Sequence, residues 1–261
     1  MKNFIKNVLK SFNIVITKKS SFDSIILTNK LSKYSKVIEL IKDKNLKLFK
    51  FIHKAKSQIG QELFVLNYLD LKKKGFFVEI GAGDGVFNSN TWLLEKEFEW
   101  KGILCEPIKI HKKSLIKNRN CFVENKCVFK FDNKKIYFKQ TLDNQYSTIL
   151  EYVNSDKLKN QRKKGIKYTV ETIKINTLLK KFRCPRKFDY LSIDTEGSEY
   201  EILSSLDFKR FKPRIITVEH NYNKLYREKI KYLLNKNNYK RVYYDFWPNS
   251  FQDDFYINEI I

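Results

Sequence analysis

The fold of this chain is decided by one stretch, Phe76-Phe77-Val78-Glu79-Ile80-Gly81-Ala82-Gly83-Asp84-Gly85. The apolar run from Phe76 to Ile80 is typical of a buried parallel strand, and the alternating glycines that follow predict a tight turn at its end. Glycine lets a bound cofactor approach the backbone closely, and it tolerates positive φ. The stretch therefore predicts a strand that leads into a phosphate- or nucleoside-binding turn.

The spacing of the glycines separates three interpretations of this turn. A dinucleotide site needs Gly-x-Gly-x-x-Gly, but the position that would hold its third glycine is Val86. Glycines at 81, 83 and 85, with Glu79 two residues before the first of them, are similar to the turn at which class I methyltransferases hold S-adenosylmethionine. An ordinary Gly-rich connection between a strand and a helix is the third interpretation.

A second motif lies about one strand-helix-strand unit downstream. Residues 102–107 form a short apolar stretch that ends in Glu106, followed by Pro107. A nucleoside site needs an acidic acceptor at this position for the hydroxyls of the ribose. Residues 89–100 have the length and apolar spacing of one helix, which predicts that the two motifs flank a helix.

The composition describes a folded, strongly basic chain. It has 261 residues, a formal net charge of +23 and 42% hydrophobic residues. Of the 52 basic residues 8 are Arg and 44 are Lys, and the Lys residues are spread over the whole chain with Asn, Ile, Tyr and Phe, as expected from an AT-rich genome. Specific recognition of nucleic acids relies on bidentate Arg, so we do not expect a nucleic-acid partner.

The beginning of the chain predicts a helical extension over residues 1–55, followed by one domain over residues 56–261. Apolar and basic positions alternate at helical spacing in residues 1–20, which predicts a basic amphipathic helix. Contact of this helix with an anionic membrane surface is one hypothesis, and docking on its own domain is the other.

The four cysteines lack the spacing of a metal site, and no apolar run is long enough to span a membrane. We therefore expect a cytoplasmic protein in a reducing compartment, with peripheral membrane contact as the second hypothesis.

Two later strands also end in acidic residues. Residues 188–194 end in Asp194, which Glu196 follows, and residues 214–221 contain Glu219 and His220. Because ligands of open α/β sheets bind outside the carboxyl ends of the strands, we expect these side chains to line one crevice with Glu106. Caps of loops and helices are the alternative role for these acids.

Residues 129–138 predict a hairpin, and the polar residues 141–168 predict a lid, a substrate loop or disorder.

Taken together, these motifs resemble the FkbM family of S-adenosylmethionine-dependent methyltransferases. The resemblance covers roughly residues 57–258. The segments that carry it are Gly60-Gln61-Glu62, residues 77–85, Ser89-Asn90-Thr91, Glu106-Pro107, Asn118-Arg119, residues 193–199 and Glu219-His220-Asn221. It implies an α/β fold, a Rossmann-like doubly wound sheet of class I that is mostly parallel and seven-stranded, with an antiparallel last strand.

The resemblance also implies roles for single residues. The residues that it assigns to S-adenosylmethionine are Glu79, Gly81, Gly83, Asp84, Gly85, Asn90 and Glu106. It implies methyl transfer to oxygen, often to a sugar or glycan hydroxyl, with Asp194, Glu196, Glu219 and His220 as the catalytic group. His220 is the base expected at neutral pH, since its ordinary pKa is about 6.5, and Glu196 is the alternative.

Related metal-dependent sugar methyltransferases imply a further feature, a divalent cation such as Mg²⁺ or Mn²⁺ held by Asp194 and Glu219. A histidine at position 220 departs from an all-oxygen magnesium site. Two other functions stay open at this point: a methyltransferase that acts on nucleic acid, and a nucleotide-binding module without catalysis.

Overall fold

The computed structural model describes Tyr34, residues 45–242 and residues 252–260. The chain divides into two compact units, Met1–Lys54 and Ala55–Ile261. In the first unit, Leu46–Lys54 form a 3-10 helix. The predicted amphipathic helix at residues 1–20, with its hypothetical membrane contact, lies outside the described residues. Within the described part of the chain, no helix is long and apolar enough to cross a membrane.

The second unit alternates strands and helices. Its strands are β1 (Phe76–Ile80), β2 (Lys101–Cys105), β3 (Phe122–Glu124), β4 (Cys127–Val128), β5 (Lys135–Thr141), β6 (Thr148–Ile149), β7 (Gly165–Ile173), β8 (Lys187–Ile193), β9 (Lys212–Glu219), β10 (Tyr239–Val242) and β11 (Asp253–Asn258). Its α-helices are α1 (Gln61–Tyr68), α2 (Trp92–Phe98), α3 (His111–Asn118), α4 (Ile175–Lys181), α5 (Glu199–Ser204) and α6 (Lys224–Lys236). Short 3-10 helices occupy Asn144–Tyr146, Leu150–Tyr152 and Lys157–Asn160.

Seven strands form the central sheet, in the order β10-β11-β9-β8-β1-β2-β3. β1 pairs in parallel with β2 and β8, and β8 pairs in parallel with β9. β11, the last strand, runs antiparallel to both β9 and β10. The mostly parallel sheet of seven strands with an antiparallel last strand is therefore confirmed.

The two faces of this sheet differ because side chains alternate along a strand. Val78 and Ile80 point into an apolar core that also holds buried residues of α4, α5 and α6. Burying an aliphatic side chain of this kind contributes roughly 1.5–3 kcal/mol. Glu79 points to the other face, where Phe64 of α1 packs on Phe255 with ring centroids 4.8 Å apart. Helices cover both faces, so the predicted doubly wound α/β fold is confirmed.

The register of the parallel strands brings four strand ends to one edge of the sheet. Ile80 at the end of β1 lies beside Cys105 at the end of β2 and beside Ile193 at the end of β8. Ile193 in turn lies beside Val218, one residue before the end of β9. The residues that follow these ends are therefore neighbours in space, as expected for a ligand-binding edge.

A second, smaller sheet corrects two predictions. Its order is β4-β7-β5-β6, and β5 pairs antiparallel with β7 from Lys135 beside Glu171 to Thr141 beside Gly165. The predicted hairpin at 129–138 is wrong, because β4 pairs with β7 and not with β5. Disorder of residues 141–168 is wrong as well, because they hold β6, three short 3-10 helices and the start of β7. The lid or substrate loop stays the prediction for this segment.

Candidate active site

A cavity of about 720 Å³ lies at the shared edge of β1, β2, β8 and β9. Predicted site residues that line it are Gly81, Gly83, Asp84, Glu106, Asp194, Glu196 and Glu219. Residues 142–147, which connect β5 and β6 of the second sheet, form another part of its wall. The size is within the usual range for a small-molecule site.

The three glycines of the turn have different roles. An added Cβ at Gly81 would lie 1.7 Å from the carbonyl oxygen of Asp194, and one at Gly85 would lie 2.7 Å from Leu115. Gly81 and Gly85 therefore allow close packing of the turn on β8 and α3. A Cβ at Gly83 would meet no atom within 4 Å, and Gly83 lines the cavity with φ at +53°. Of the three, Gly83 is the glycine that keeps ligand space open.

Glu106 connects the turn to the end of β2. Its carboxylate accepts hydrogen bonds from the backbone N–H groups of Gly83 and Ile108, both at 2.8 Å. Burial raises the pKa of Glu106 to about 7, although these two hydrogen bonds act in the opposite direction. The carboxylate also lines the cavity and keeps acceptor capacity for a ligand hydroxyl.

Of the residues that the resemblance assigns to the cofactor, Glu79, Gly85 and Asn90 do not line the cavity. The Glu79 carboxylate accepts hydrogen bonds from Ser89 Oγ at 3.1 Å, from the Asn90 N–H at 2.6 Å and from Thr91 Oγ1 at 2.5 Å. These hydrogen bonds hold the Glu79 carboxylate against residues 89–91, which follow the glycine turn. We assign Glu79 a structural role. Asn90 donates to Ser192 Oγ at 2.9 Å, beneath the cavity floor.

Asp84 lines the cavity but uses its carboxylate locally. One oxygen accepts hydrogen bonds from the N–H groups of Val86 and Phe87, both at 2.8 Å. The side chain of Asn118 donates to the Asp84 carbonyl oxygen at 2.9 Å. Asp84 therefore fixes the shape of the turn and has a second carboxylate oxygen at the cavity wall.

Three carboxylates meet in the same cavity, at the ends of β8 and β9. Asp194, Glu196 and Glu219 each offer an oxygen within 4.8 Å of the others. Glu196 reaches this position with φ at 60°, a left-handed conformation that is uncommon outside glycine. The structure therefore brings together three of the four predicted catalytic residues.

The electrostatics of these carboxylates follow from their crowding. Burial raises the pKa of Asp194 to about 6. Burial also raises the pKa of Glu219, and the charges of Asp194 and Glu196 raise it further. For Glu196, burial and Asp194 raise the pKa while the guanidinium of Arg162 opposes the rise. Groups of like charge at this spacing favour proton binding or a positive partner.

His220, the fourth predicted catalytic residue, faces elsewhere. It does not line the cavity, because it follows Glu219 directly and consecutive side chains leave a strand on opposite sides. Its Nδ1 accepts a hydrogen bond from the N–H of Tyr222 at 3.2 Å, and its Nε2 lies 4.0 Å from Asp254. Burial lowers its pKa to about 4. We therefore do not assign His220 as the base.

Arg162 is a site residue that sequence reasoning missed. Its side chain is fully buried and donates to Glu196 at 2.5 Å and to both carboxylate oxygens of Asp156 at 2.9 Å. It also donates to the carbonyl oxygens of Tyr146 and Tyr152. The sequence contains one signal for this role, the rarity of Arg in a Lys-rich chain. Because Lys cannot replace a planar bidentate donor, an Arg in such a chain indicates a position where that geometry is needed.

Asp253, a neighbour of the site that does not itself line the cavity, was also missed. It lies beside Glu219 in the antiparallel pair of β11 and β9 and accepts a hydrogen bond from Gln61 Nε2 at 2.9 Å. Burial raises the pKa of Asp253 to about 7, and the charge of Asp194 adds to the rise. Gln61 belongs to the Gly60-Gln61-Glu62 segment, so this contact explains why that segment accompanies the site.

The topology and the site together define a class I methyltransferase: a glycine turn after β1, an acidic residue after β2 and an antiparallel last strand. Residues 79–254 match the family model described as the Methyltransferase FkbM domain. Because this match spans more than half of the chain, the protein belongs to the FkbM methyltransferase family.

Three solved structures to which the chain is similar all have TM-scores below 0.5. A methyltransferase FkbM from Methylobacillus flagellatus is 10% identical over 98% of this chain and 70% of that chain, with a TM-score of 0.44. A precorrin-6y C5,15-methyltransferase from Geobacter metallireducens is 12% identical over 75% and 84% of the two chains, with a TM-score of 0.40. A TehB-like SAM-dependent methyltransferase from Corynebacterium glutamicum is 5% identical over 84% and 97%, with a TM-score of 0.40. No curated protein matches the chain.

Proposed function

We propose that the protein transfers the methyl group of S-adenosylmethionine to a hydroxyl oxygen of a sugar or glycan. One observation carries this proposal: the carboxylates of Asp194, Glu196 and Glu219 line the same cavity as the glycine turn and Glu106. A hydroxyl oxygen is a poor nucleophile unless a base or a cation helps to remove its proton, and such a cluster provides this help.

The residues at the turn fit the cofactor. Open space at Gly83 lets the ligand pass directly over the backbone, and the Glu106 carboxylate suits the two hydroxyls of a ribose. Asp84 and Gly81 line the same part of the cavity. S-adenosylmethionine supplies, when bound, a methyl group that its sulfonium already activates, so the protein has to orient the acceptor oxygen and remove its proton.

Glu196 is the base that we assign. Its contact with Arg162 fixes the side chain, and because burial raises the pKa of Glu196 well above that of an ordinary carboxyl group, its ionised form is the stronger proton acceptor. As the new C–O bond forms and the S–CH₃ bond breaks, the hydroxyl proton passes to the Glu196 carboxylate. Asp194 and Glu219 then hold the acceptor by accepting hydrogen bonds from neighbouring hydroxyls.

A divalent cation such as Mg²⁺ or Mn²⁺ at Asp194 and Glu219 is the alternative to a free carboxylate base. The carboxylate oxygens are close enough for such a site, and oxygen ligands are those that both ions prefer. Loss of activity in EDTA, restored by one of these ions, supports the cation. Full activity in EDTA rejects it and leaves Glu196 as the base.

An acceptor screen tests the proposed function. The purified protein is incubated with S-adenosylmethionine carrying a deuterated methyl group and with neutral sugars, glycans, RNA and DNA, and products are detected by mass spectrometry. Label on a sugar oxygen supports the proposal. Label on nucleic acid, with affinity that falls steeply with salt, favours the nucleic-acid alternative. Cofactor binding without any product favours a nucleotide-binding module.

Replacing Gly83 with Val is expected to abolish cofactor binding, because the branched side chain occupies open cavity space. The positive φ at this position also costs about 1–2 kcal/mol for any residue with a Cβ. Gly83→Ala is the control for the backbone cost, since it places a Cβ at the same positive φ with less added volume. Calorimetric titration with S-adenosylmethionine measures the effect. Normal binding by the Val variant removes the turn from the cofactor site.

Removing residues 1–20 is expected to leave cofactor affinity unchanged and to reduce sedimentation with anionic liposomes. We propose a cytoplasmic protein with peripheral contact to the inner face of the membrane through this basic segment. Liposomes of neutral lipid are the control for non-specific sedimentation. Equal sedimentation of the full and the shortened chain rejects the membrane contact.

A further inference from the structure

The charge of the cavity is opposite to that of the protein as a whole. About one residue in five of the chain is Lys or Arg, and the net charge is +23. Among the described residues that line the cavity, however, none is Lys or Arg. The lining residues that carry a carboxyl group are Asp84, Glu106, Asp143, Asp194, Glu196 and Glu219. An abundance of Lys caused by genome composition alone does not explain a wall that excludes Lys.

Positive partners do not neutralise most of these carboxylates. Arg162 pairs with Glu196, but its side chain is fully buried and also forms an ion pair with Asp156. Glu219 accepts a hydrogen bond from the neutral amide of Asn221 at 2.9 Å. In the described part of the chain, no Lys or Arg lies within ion-pair distance of Asp194, Glu219 or Glu106. An anion that enters the cavity therefore finds no Lys or Arg of the described lining to pair with, and each carboxylate that is ionised repels it.

The remaining wall suits neutral hydroxyl groups. Asn144, Gln145 and Ser147 line the cavity from the segment between β5 and β6. The amide oxygen of Gln145 already accepts a hydrogen bond from Asn88 Nδ2 at 2.7 Å, which joins this wall to the glycine turn. Phe87 also lines the cavity and is 62% exposed, so its ring offers an apolar surface to the C–H face of a sugar.

We propose that the acceptor is an uncharged polyol, a glycoside that carries no phosphate, sulfate or carboxylate near the hydroxyl that is methylated. This inference rests on the proposed function and adds the charge class of its substrate. Phosphates of a nucleic acid are attracted to the outside of the protein, but the group that reacts has to enter a cavity whose described lining has no Lys or Arg. The strong positive net charge is thus a property of the outer surface and not of the acceptor site.

The test uses matched acceptors at saturating S-adenosylmethionine with a deuterated methyl group. Methyl glycosides of hexoses that are methylated at a ring hydroxyl are compared with their 6-phosphates and with the corresponding uronic acids, which keep that hydroxyl, and kcat/KM is measured for each by mass spectrometry. We expect kcat/KM of each neutral glycoside that is methylated to exceed that of its charged counterparts by at least about tenfold, because the anion is desolvated without a cationic partner and beside acidic groups.

A variant with a cation in the wall sharpens the test. Gln145→Lys is expected to lower the preference for the neutral acceptor by about fivefold or more, since it gives the anion a partner. Gln161→Lys is the matched control, because Gln161 is exposed and does not line the cavity. Charged acceptors that react as fast as neutral ones, or faster, overturn the inference and leave the proposed function intact. If no sugar is methylated, the proposed function fails and this inference fails with it.

Discussion

Replacing Glu196 with Gln is expected to lower turnover about 100- to 10,000-fold, the contribution of a positioned proton acceptor. The substitution keeps the shape of the side chain and removes its ability to take a proton. Cofactor affinity should change less than about twofold on the same argument, because Glu106 and the glycine turn, and not Glu196, hold the cofactor. Single-turnover rates on an acceptor found in the screen, together with calorimetric titration of the cofactor, measure the two effects.

His220→Ala is the control for that experiment. His220 directly follows Glu219 in the sequence, but it does not line the cavity, and its side chain lies near Asp254. We expect the turnover of a folded His220→Ala variant to stay within a few-fold of that of the wild type. Loss of turnover in His220→Ala with normal turnover in Glu196→Gln contradicts the assignment of the base.

Replacing Arg162 with Met is expected to destabilise the fold by about 3–5 kcal/mol, the usual effect of removing one partner from a buried ion pair. The substitution leaves Asp156 and Glu196 without their shared cation. It also removes hydrogen bonds to the carbonyl oxygens of Tyr146 and Tyr152, which hold the segment over the cavity. Urea unfolding followed by circular dichroism measures the change in the free energy of unfolding.

Two variants separate charge from geometry at this position. Arg162→Lys keeps the positive charge but lacks the planar fork, so we expect it to recover only part of the lost stability. The double variant with Met at 162 and Gln at 196 removes one of the two unpaired carboxylates and should be more stable than Arg162→Met alone. A loss below about 0.5 kcal/mol for Arg162→Met, the range of ordinary surface substitutions, contradicts the role of Arg162.

Two kinds of feature could be predicted from the sequence: elements that a few consecutive residues define, and contacts that follow from the common edge of parallel strands. The strand Phe76–Ile80 and its turn were recognisable because apolar and glycine residues follow one another directly. The meeting of Asp194 and Glu219 was predictable because each follows or ends a parallel strand, and such ends share one edge of the sheet. The spacing of acids along the chain was sufficient for these predictions.

The parts that escaped prediction depend on distant pairing and on side-chain direction. β5 pairs with β7 across about 30 residues, and its Lys-rich outer face hides the alternation that marks a strand. Arg162 reaches Glu196 across 34 residues, and Asp253 reaches Gln61 across 192. His220 differs from Glu219 by a single step along the chain, yet that step turns its side chain away from the cavity.

Titration of the purified protein with S-adenosylmethionine tests most directly the claim that the cavity at Gly83 and Glu106 is the cofactor site of a methyltransferase. NAD is the matched control, since the competing interpretation of a glycine-rich turn is a dinucleotide site. We expect micromolar affinity for S-adenosylmethionine, no binding of NAD, and loss of binding in Gly83→Val. Binding of NAD in place of S-adenosylmethionine, or binding of neither, contradicts it.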